Sequence, residues 1–257
     1  MTTVLCDLDG VVYRGSRELP GAGGALEALT EAGVGTLFIT NNSTRTPEAT
    51  AEKITRVTGV EVHGDQVMTS SQAAMTLLGP EDSPVFVVGE TSLRTAVLEA
   101  GLTVTAEPHE AGAVVVGLTR SLSYQALADA MKAIGNGARF IATNDDATFP
   151  TEEGLEPGCG AIVAAIARAS GVEPEVAGKP NPAMRDLVRS RASGEVWVIG
   201  DRPETDIALA SDEPGWRSIL VLTGITGAEM AAETGADFVV DDLASAVEVV
   251  LRHLGES

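Results

Sequence analysis

The sequence predicts an α/β protein with a Rossmann-like, doubly wound parallel sheet and a smaller α/β unit inserted into it. Two observations lead there. Short apolar runs of strand length alternate with segments of helical period along the whole chain, the pattern of parallel strands joined by crossover helices. The 257 residues suffice for one large domain, or for a medium one holding another. Pro, Gly and charge interrupt the periodicity at 79–84 and 171–177, and both interruptions lie inside the α/β series. An insertion over 84–176 between core segments 1–83 and 177–257 is therefore expected, rather than a tandem pair.

The elements read as follows. Residues 4–8 form a first apolar strand that ends in acids, and a turn-rich stretch to Pro20 leads into a helix over 22–32 with Leu26 and Leu29 on its apolar face. A strand over 35–40 ends in Asn41-Asn42-Ser43, and Thr46-Pro47-Glu48 reads as a helix start with Pro in the first turn. Helices are expected over 70–78, 92–100, 124–134 and 161–169, with strands over 85–88, 102–105, 113–116 and 140–142. The last third gives helices over 182–191, 204–209, 227–234 and 243–254, and strands over 196–199, 218–222 and 238–239.

Composition narrows the function. Seventeen Lys plus Arg against 37 Asp plus Glu leave a formal charge of −20, which repels polyanions and argues against general nucleic-acid binding. A small phosphorylated ligand stays compatible, because one local cation or bound metal overrides a distant field. No apolar run approaches the roughly 18–20 residues that cross a bilayer, and Met1-Thr2-Thr3-Val4-Leu5-Cys6 has no basic region of a secretory signal. Cys6 and Cys159 are the only cysteines, too few for a disulfide framework or zinc spacing. A cytoplasmic, membrane-free protein is expected.

In doubly wound sheets ligands bind beyond the carboxyl ends of the strands. Four polar segments fall at such ends: Asp7-Leu8-Asp9-Gly10, Thr40-Asn41-Asn42, Gly178-Lys179-Pro180 and Gly200-Asp201 through Asp206. Asp7 and Asp9, two apart as the chain leaves its strand, can approach one site. Two carboxylates so close repel, and a divalent cation screens them. With Asp201 arriving from another strand, the acids suit Mg²⁺. The remaining conspicuous residues read as structural. Cys6 faces the core, Cys159 starts a helix, Trp197 and Trp216 pack, Asp241-Asp242 cap the last helix, and His63, His109 and His253 lie at the surface.

The stretches "CDLDGVVYRG" (6–15), "FITNNSTRT" (38–46), "VAGKPNP" (176–182) and "VIGDRPETDI" (198–207) resemble the haloacid dehalogenase superfamily, specifically its NagD-like, 4-nitrophenylphosphatase-like branch (subfamily IIA). Between the second and third stretches, "VVVGLTRSLSY" (114–124), "FIATNDDATFP" (140–150) and "LEPGCGAIVAAI" (155–166) resemble that branch's C2-type cap.

The resemblance implies a Mg²⁺-dependent phosphatase of small phosphomonoesters working through an aspartyl-phosphate. It implies Asp7 as nucleophile and metal ligand. Asp9 would be the general acid and base, ligating metal through its carbonyl. Thr40 and Asn41 would be phosphoryl-binding, Lys179 the neutralising cation, Asp201 a metal ligand and Asp206 a holder of metal-bound water or of the lysine. Leu118, Asp145 and Phe149 of the cap would face the leaving group, with Asn42, Ser43 and Thr44 at the entrance. A homodimer through the cap is a further expectation.

Pyridoxal phosphatases of this branch carry an aromatic residue at the position of Leu118 and a histidine at that of Phe149. Glycerol 3-phosphate, 2-phosphoglycolate, nucleoside monophosphates and 4-nitrophenyl phosphate therefore rank ahead of pyridoxal phosphate. Two alternatives stay open at this point: a 2-haloacid dehalogenase, which needs one aspartate and no metal, and a non-catalytic phospho-accepting switch.

Overall fold

The computed structural model describes residues 2–151, 154–211, 213–224, 226 and 234–255; the helix expected over 227–234 falls, apart from Thr234, outside them. The chain opens with β1 (Thr2–Cys6), a hairpin of β2 (Tyr13–Arg14) and β3 (Arg17–Glu18), α1 (Ala22–Glu31), β4 (Gly35–Thr40), α2 (Pro47–Thr58), β5 (Val67–Thr69) and α3 (Ser70–Thr76). A second series follows: β6 (Val85–Val88), α4 (Thr91–Glu99), β7 (Val104–Thr105), β8 (Ala113–Val116), α5 (Tyr124–Gly135), β9 (Arg139–Ala142), β10 (Thr148–Thr151), β11 (Gly154–Pro157), α6 (Cys159–Ser170) and β12 (Glu175–Val176). The chain closes with α7 (Pro182–Arg189), β13 (Glu195–Gly200), α8 (Ala208–Ser211), β14 (Trp216–Val221), β15 (Phe238–Val240) and α9 (Leu243–Gly255).

The first and last series build one parallel six-stranded sheet, β15-β14-β13-β1-β4-β5. The middle series builds a separate parallel five-stranded sheet, β12-β9-β8-β6-β7, with β10 and β11 as an antiparallel ribbon beside it. In the larger sheet β1 lies between β13 and β4, with Cys6 level with Ile199 and Phe38. The chain leaves β1 toward one side of the sheet and returns on the other, so the crevice of a doubly wound fold opens above β1 and β13.

Alternation along β1 sorts the core into layers. Val4 and Cys6 point into a cluster with Leu26 and Leu29 of α1 and Val247 and Val250 of α9. Leu5 points the other way, toward Met68, Ala74, Met184 and Val198. That second layer does not stop at the first sheet: it includes Val85, Val87, Val115 and Ile141 of the second sheet and Leu93 and Val97 of α4. The second sheet's opposite face is covered by α5 and α6 through Ala130, Ala133, Ile162 and Ile166.

Local signals explain the helix ends. Thr46 accepts a hydrogen bond from the Ala49 amide at 3.2 Å and Pro47 opens α2, a side-chain cap with proline where its missing N–H costs nothing. Gly59 ends that helix at φ 77°, a conformation only glycine adopts cheaply. The Asp242 carboxylate accepts from the Ser245 amide at 2.8 Å, the cap expected for the last helix.

Several expectations need correction. The turn-rich stretch before Pro20 contains the β2–β3 hairpin, and β5, β12 and the β10–β11 ribbon are strands where no element is expected from the sequence. All are two to four residues long, below the length at which period 2 shows, and Pro150 inside β10 argues against a strand on sequence alone. The helix expected over 204–209 is a π-type turn, Pro203–Ile207, followed by the single turn of α8. His253 is half-buried, its ring edge-on to Trp197 with centroids 5.3 Å apart.

Because one apolar layer joins both sheets, the whole chain is expected to unfold in a single transition. Leu93→Ala, in the second sheet's helix, is expected to cost about 2–5 kcal/mol. It should shift far-UV circular dichroism and the fluorescence of Trp197 and Trp216, both in strands of the first sheet, by the same amount. Two separated transitions would show that the sheets unfold independently.

Candidate active site

The site forms where four chain segments leave their strands. Asp7 follows β1 directly, its amide donating to the Ile199 carbonyl of β13 at 2.9 Å. The amides of Val11, Val12 and Tyr13 then turn back onto the Leu8 carbonyl, which returns Asp9 to the mouth of the cavity that Asp7 lines. Asp201 follows β13. Gly10, at φ 94°, lies so near that a Cβ there would stand 2.6 Å from an Asp201 carboxylate oxygen. A Cβ at Gly224 would stand 1.7 Å from it. The two glycines let backbone wrap the carboxylate closely.

Lys179 is the hub. It is 3% exposed, and its ammonium donates to Asp7 Oδ1 at 2.5 Å and Asp206 Oδ1 at 2.7 Å. The other Asp206 oxygen accepts from the amides of Asp201 and Arg202, both at 3.1 Å, so the π-type turn fixes that acid and the acid fixes the lysine. Burial alone would lower the lysine's pKa, but Asp206 and Asp7 override it and hold the ammonium charged well above its ordinary range. Asp7 feels the opposite balance. Burial raises its carboxyl above the usual range and Asp206 and Asp201 add to that, with Lys179 opposing.

Ligand oxygens of Asp7, Asp201 and Asp206 lie within 4.8 Å of one another, all buried. Three carboxylates against one ammonium leave a surplus of negative charge away from water, a hard all-oxygen donor set that fits a divalent cation such as Mg²⁺. The carboxylate of Asp9 is not in this trio; it lies half-buried on the cavity wall. Burial raises its pKa, against Lys53, Lys179, Arg202 and Arg45, as suits a carboxyl that must carry a proton.

Of the other expected residues, Thr40 and Asn41 are buried and line the cavity. The Asn41 side chain accepts from the Lys179 amide at 2.8 Å and donates to the Lys179 carbonyl at 3.2 Å and to the Asp146 carboxylate at 3.3 Å. Asn42 and Thr44 line the cavity and bond to each other, the Thr44 amide donating to Asn42 Oδ1 at 2.8 Å. Leu118 and Phe149 line it from the second sheet's side.

Two expectations are corrected. Asp145 does not line the cavity; its neighbour Asp146 does, its backbone amide donating a hydrogen bond to Asn144 Oδ1 at 3.2 Å. Ser43 is 1% exposed and accepts from the Leu118 amide at 3.1 Å, joining the sheets rather than lining the entrance. Residue type gave no means of choosing between two adjacent aspartates. The cavity, about 900 Å³, also exposes Arg45, Lys53 and Arg56, which the sequence reading passed over.

Residues 4–103 match the family described as haloacid dehalogenase-like hydrolase, and 176–246 a second pattern of HAD-hydrolase-like proteins. The chain is 36% identical over 234 residues to an acid sugar phosphatase of Staphylococcus haemolyticus, covering 89% of this chain and 88% of that protein. It is 39% identical over 230 residues to a 5′-nucleotidase of Bacillus subtilis, covering 88% of each. Among solved structures, the glycerol phosphate phosphatase of Mycobacterium tuberculosis in complex with magnesium superimposes with a TM-score of 0.85 at 36% identity, over 95% of this chain and 75% of that one.

Cys159 lines the cavity yet is buried at the start of α6, and burial pushes its thiol up to about 11. Burial likewise raises the Cys6 thiol. A raised thiol stays protonated below its pKa, so neither cysteine should react with iodoacetamide at pH 8 in the folded protein, and activity should survive. Both should react in denaturant. Alkylation of the native protein with loss of activity would contradict this assignment.

Proposed function

Because the chain belongs to the NagD-like branch of the haloacid dehalogenase-like hydrolases, we propose that its Mg²⁺-dependent phosphatase activity runs through the Asp7–Lys179–Asp206 constellation, with Asp9 as proton shuttle. The observation that carries the assignment is the buried lysine held 2.5 and 2.7 Å from Asp7 and Asp206, beside a carboxylate trio. The enzyme is a phosphomonoester hydrolase acting on small phosphorylated substrates. A 2-haloacid dehalogenase needs one nucleophilic aspartate and no metal, so the carboxylate trio favours phosphoryl transfer.

In the first half-reaction an Asp7 carboxylate oxygen attacks phosphorus. The bond from phosphorus to the leaving alcohol breaks, and the departing oxygen takes the proton of Asp9. In the second, Asp9, now ionised, takes a proton from water; the hydroxyl attacks phosphorus and Asp7 is released with inorganic phosphate. Two displacements let one carboxylate work covalently while its neighbour moves the proton. Lys179 offsets the charge that gathers as an anionic carboxylate meets an anionic phosphoryl group, and Thr40 and Asn41 hold the phosphoryl oxygens. Asp7, Asp201 and the Asp9 carbonyl would hold Mg²⁺, with Asp206 beside it; when bound, the ion neutralises negative charge on the phosphoryl oxygens.

The inserted segment 84–176 is read as a C2-type cap that roofs this cavity and restricts it to small substrates. The ties Ser92 Oγ to the Ser43 carbonyl at 2.7 Å and Asn144 to the Asn41 carbonyl at 2.7 Å support a roof tethered to the core. A cap-mediated homodimer is supported by the exposure of Leu122, Tyr124 and Leu155. A cytoplasmic location is supported by two unpaired, buried cysteines. No helix among the described residues is long and apolar enough to cross a membrane.

Three measurements test this reading. Asp7→Asn is expected to abolish turnover with the fold intact, and Lys179→Ala to lower kcat/KM by about 10²–10³, the scale of deleting one preorganised charge-stabilising donor. Sustained multiple turnover by the Asn variant would refute the nucleophile. Exhaustive treatment with EDTA should remove activity and added Mg²⁺ restore it; full activity after chelation would count against the carboxylate trio as a cation site.

A further inference from the structure

One wall of the cavity carries positive charge that phosphoryl transfer does not use. Lys53, Arg56 and Val57 line it from α2, at the i, i+3, i+4 spacing of one helix stripe. Arg45, just before the Thr46 cap, lines it as well. Among the described residues none of these three cations forms an ion pair or hydrogen bond. The ammonium of Lys53 instead rests 3.5 Å from the centre of the Tyr13 ring, a buried side chain, which fixes it near the loop that carries Asp9.

Arg56 in the last turn suits the helix dipole, but Arg45 and the closeness of Lys53 to Arg56 do not. A cation ahead of the N-terminus faces the positive end of the helix dipole, and like charges one turn apart repel. The acids of α2, Glu48 and Glu52, line no part of the cavity. Burial lowers the Lys53 pKa, Asp9 opposes, and Arg45 and Arg56 lower it further. In a chain of net charge −20, three cations facing one cavity with no ion pair among the described residues form an anion-receptive wall.

We propose that Arg45, Lys53 and Arg56 form a second anion subsite, so that the enzyme selects phosphomonoesters bearing another anionic group. This deepens the phosphatase reading and rests on it: the reacting phosphoryl group sits at Asp7 and Lys179, while a carboxylate or second phosphate on the same molecule meets the α2 wall. A cavity of about 900 Å³ has room for both ends.

The test compares substrates matched in all but the distal charge, with Mg²⁺ present. The pairs are 3-phosphoglycerate against glycerol 3-phosphate, and glucose 1,6-bisphosphate against glucose 6-phosphate. The wild type should favour at least one charged member by about tenfold in kcat/KM, mainly through KM, as one charge-assisted contact supplies; which pair responds tells a carboxylate from a phosphate. Lys53→Met and, on the exposed end of the wall, Arg56→Gln should each shrink that preference severalfold, and the preference should fall with added salt. Equal kcat/KM within both pairs, or equal losses on all four compounds in the variants, would overturn the subsite while leaving the phosphatase standing. Failure to release phosphate from any of them would overturn both.

Discussion

The burial of three carboxylates around one lysine is the constraint to which the rest of the site answers. Asp7, Asp201 and Asp206 sit where water cannot screen them, and isolated charges in such a place cost several kcal/mol each. The fold meets that cost locally. Lys179 bonds two of the acids, two backbone amides bond Asp206, and the negative charge left over suits a divalent cation. The same imbalance that would destabilise a passive core makes a place where a dianionic phosphoryl group and a carboxylate can meet.

Holding that cluster takes the whole sheet. β1 and β13 are neighbours in register, so Asp7 and Asp201, 194 positions apart in sequence, emerge side by side. The close backbone of Gly10 and Gly224 wraps Asp201, and the amides of Asp201 and Arg202 hold Asp206 in the π-type turn after β13. Asn41 adds the last restraint: it grips the backbone of Lys179 from the end of β4 and reaches Asp146 across the cavity. One amide side chain thereby registers the lysine against both walls, and a shared apolar layer beneath keeps those walls together.

Much of this was legible in the sequence because it depends on short-range rules. The strands β6 and β8 and the start of α2 come from apolar runs and from a Thr-Pro cap, and the four site segments sit at strand ends, where a doubly wound sheet puts its ligands. What escaped depends on three-dimensional placement. Short ribbons such as β10–β11 have no periodicity to detect, and Asp145 and Asp146 differ only in the direction the chain happens to turn. Ser43 is polar and beside the site, yet its hydroxyl serves the Leu118 amide. Nothing in the spacing of the α2 cations marks them out in the sequence; only the cavity shows which side they occupy.

The central claim is that Asp7 carries the phosphoryl group. Its most direct measurement uses Asp9→Asn, in which the water-activating base is gone. With 4-nitrophenyl phosphate, whose leaving group needs no proton, and Mg²⁺ present, this variant should release one equivalent of nitrophenolate in a burst and then stall. Acid quenching and mass spectrometry should find one added phosphoryl group on the tryptic peptide ending at Arg14, at Asp7. A variant that turns over without a burst, or carries its phosphoryl group on any other residue, would contradict the account.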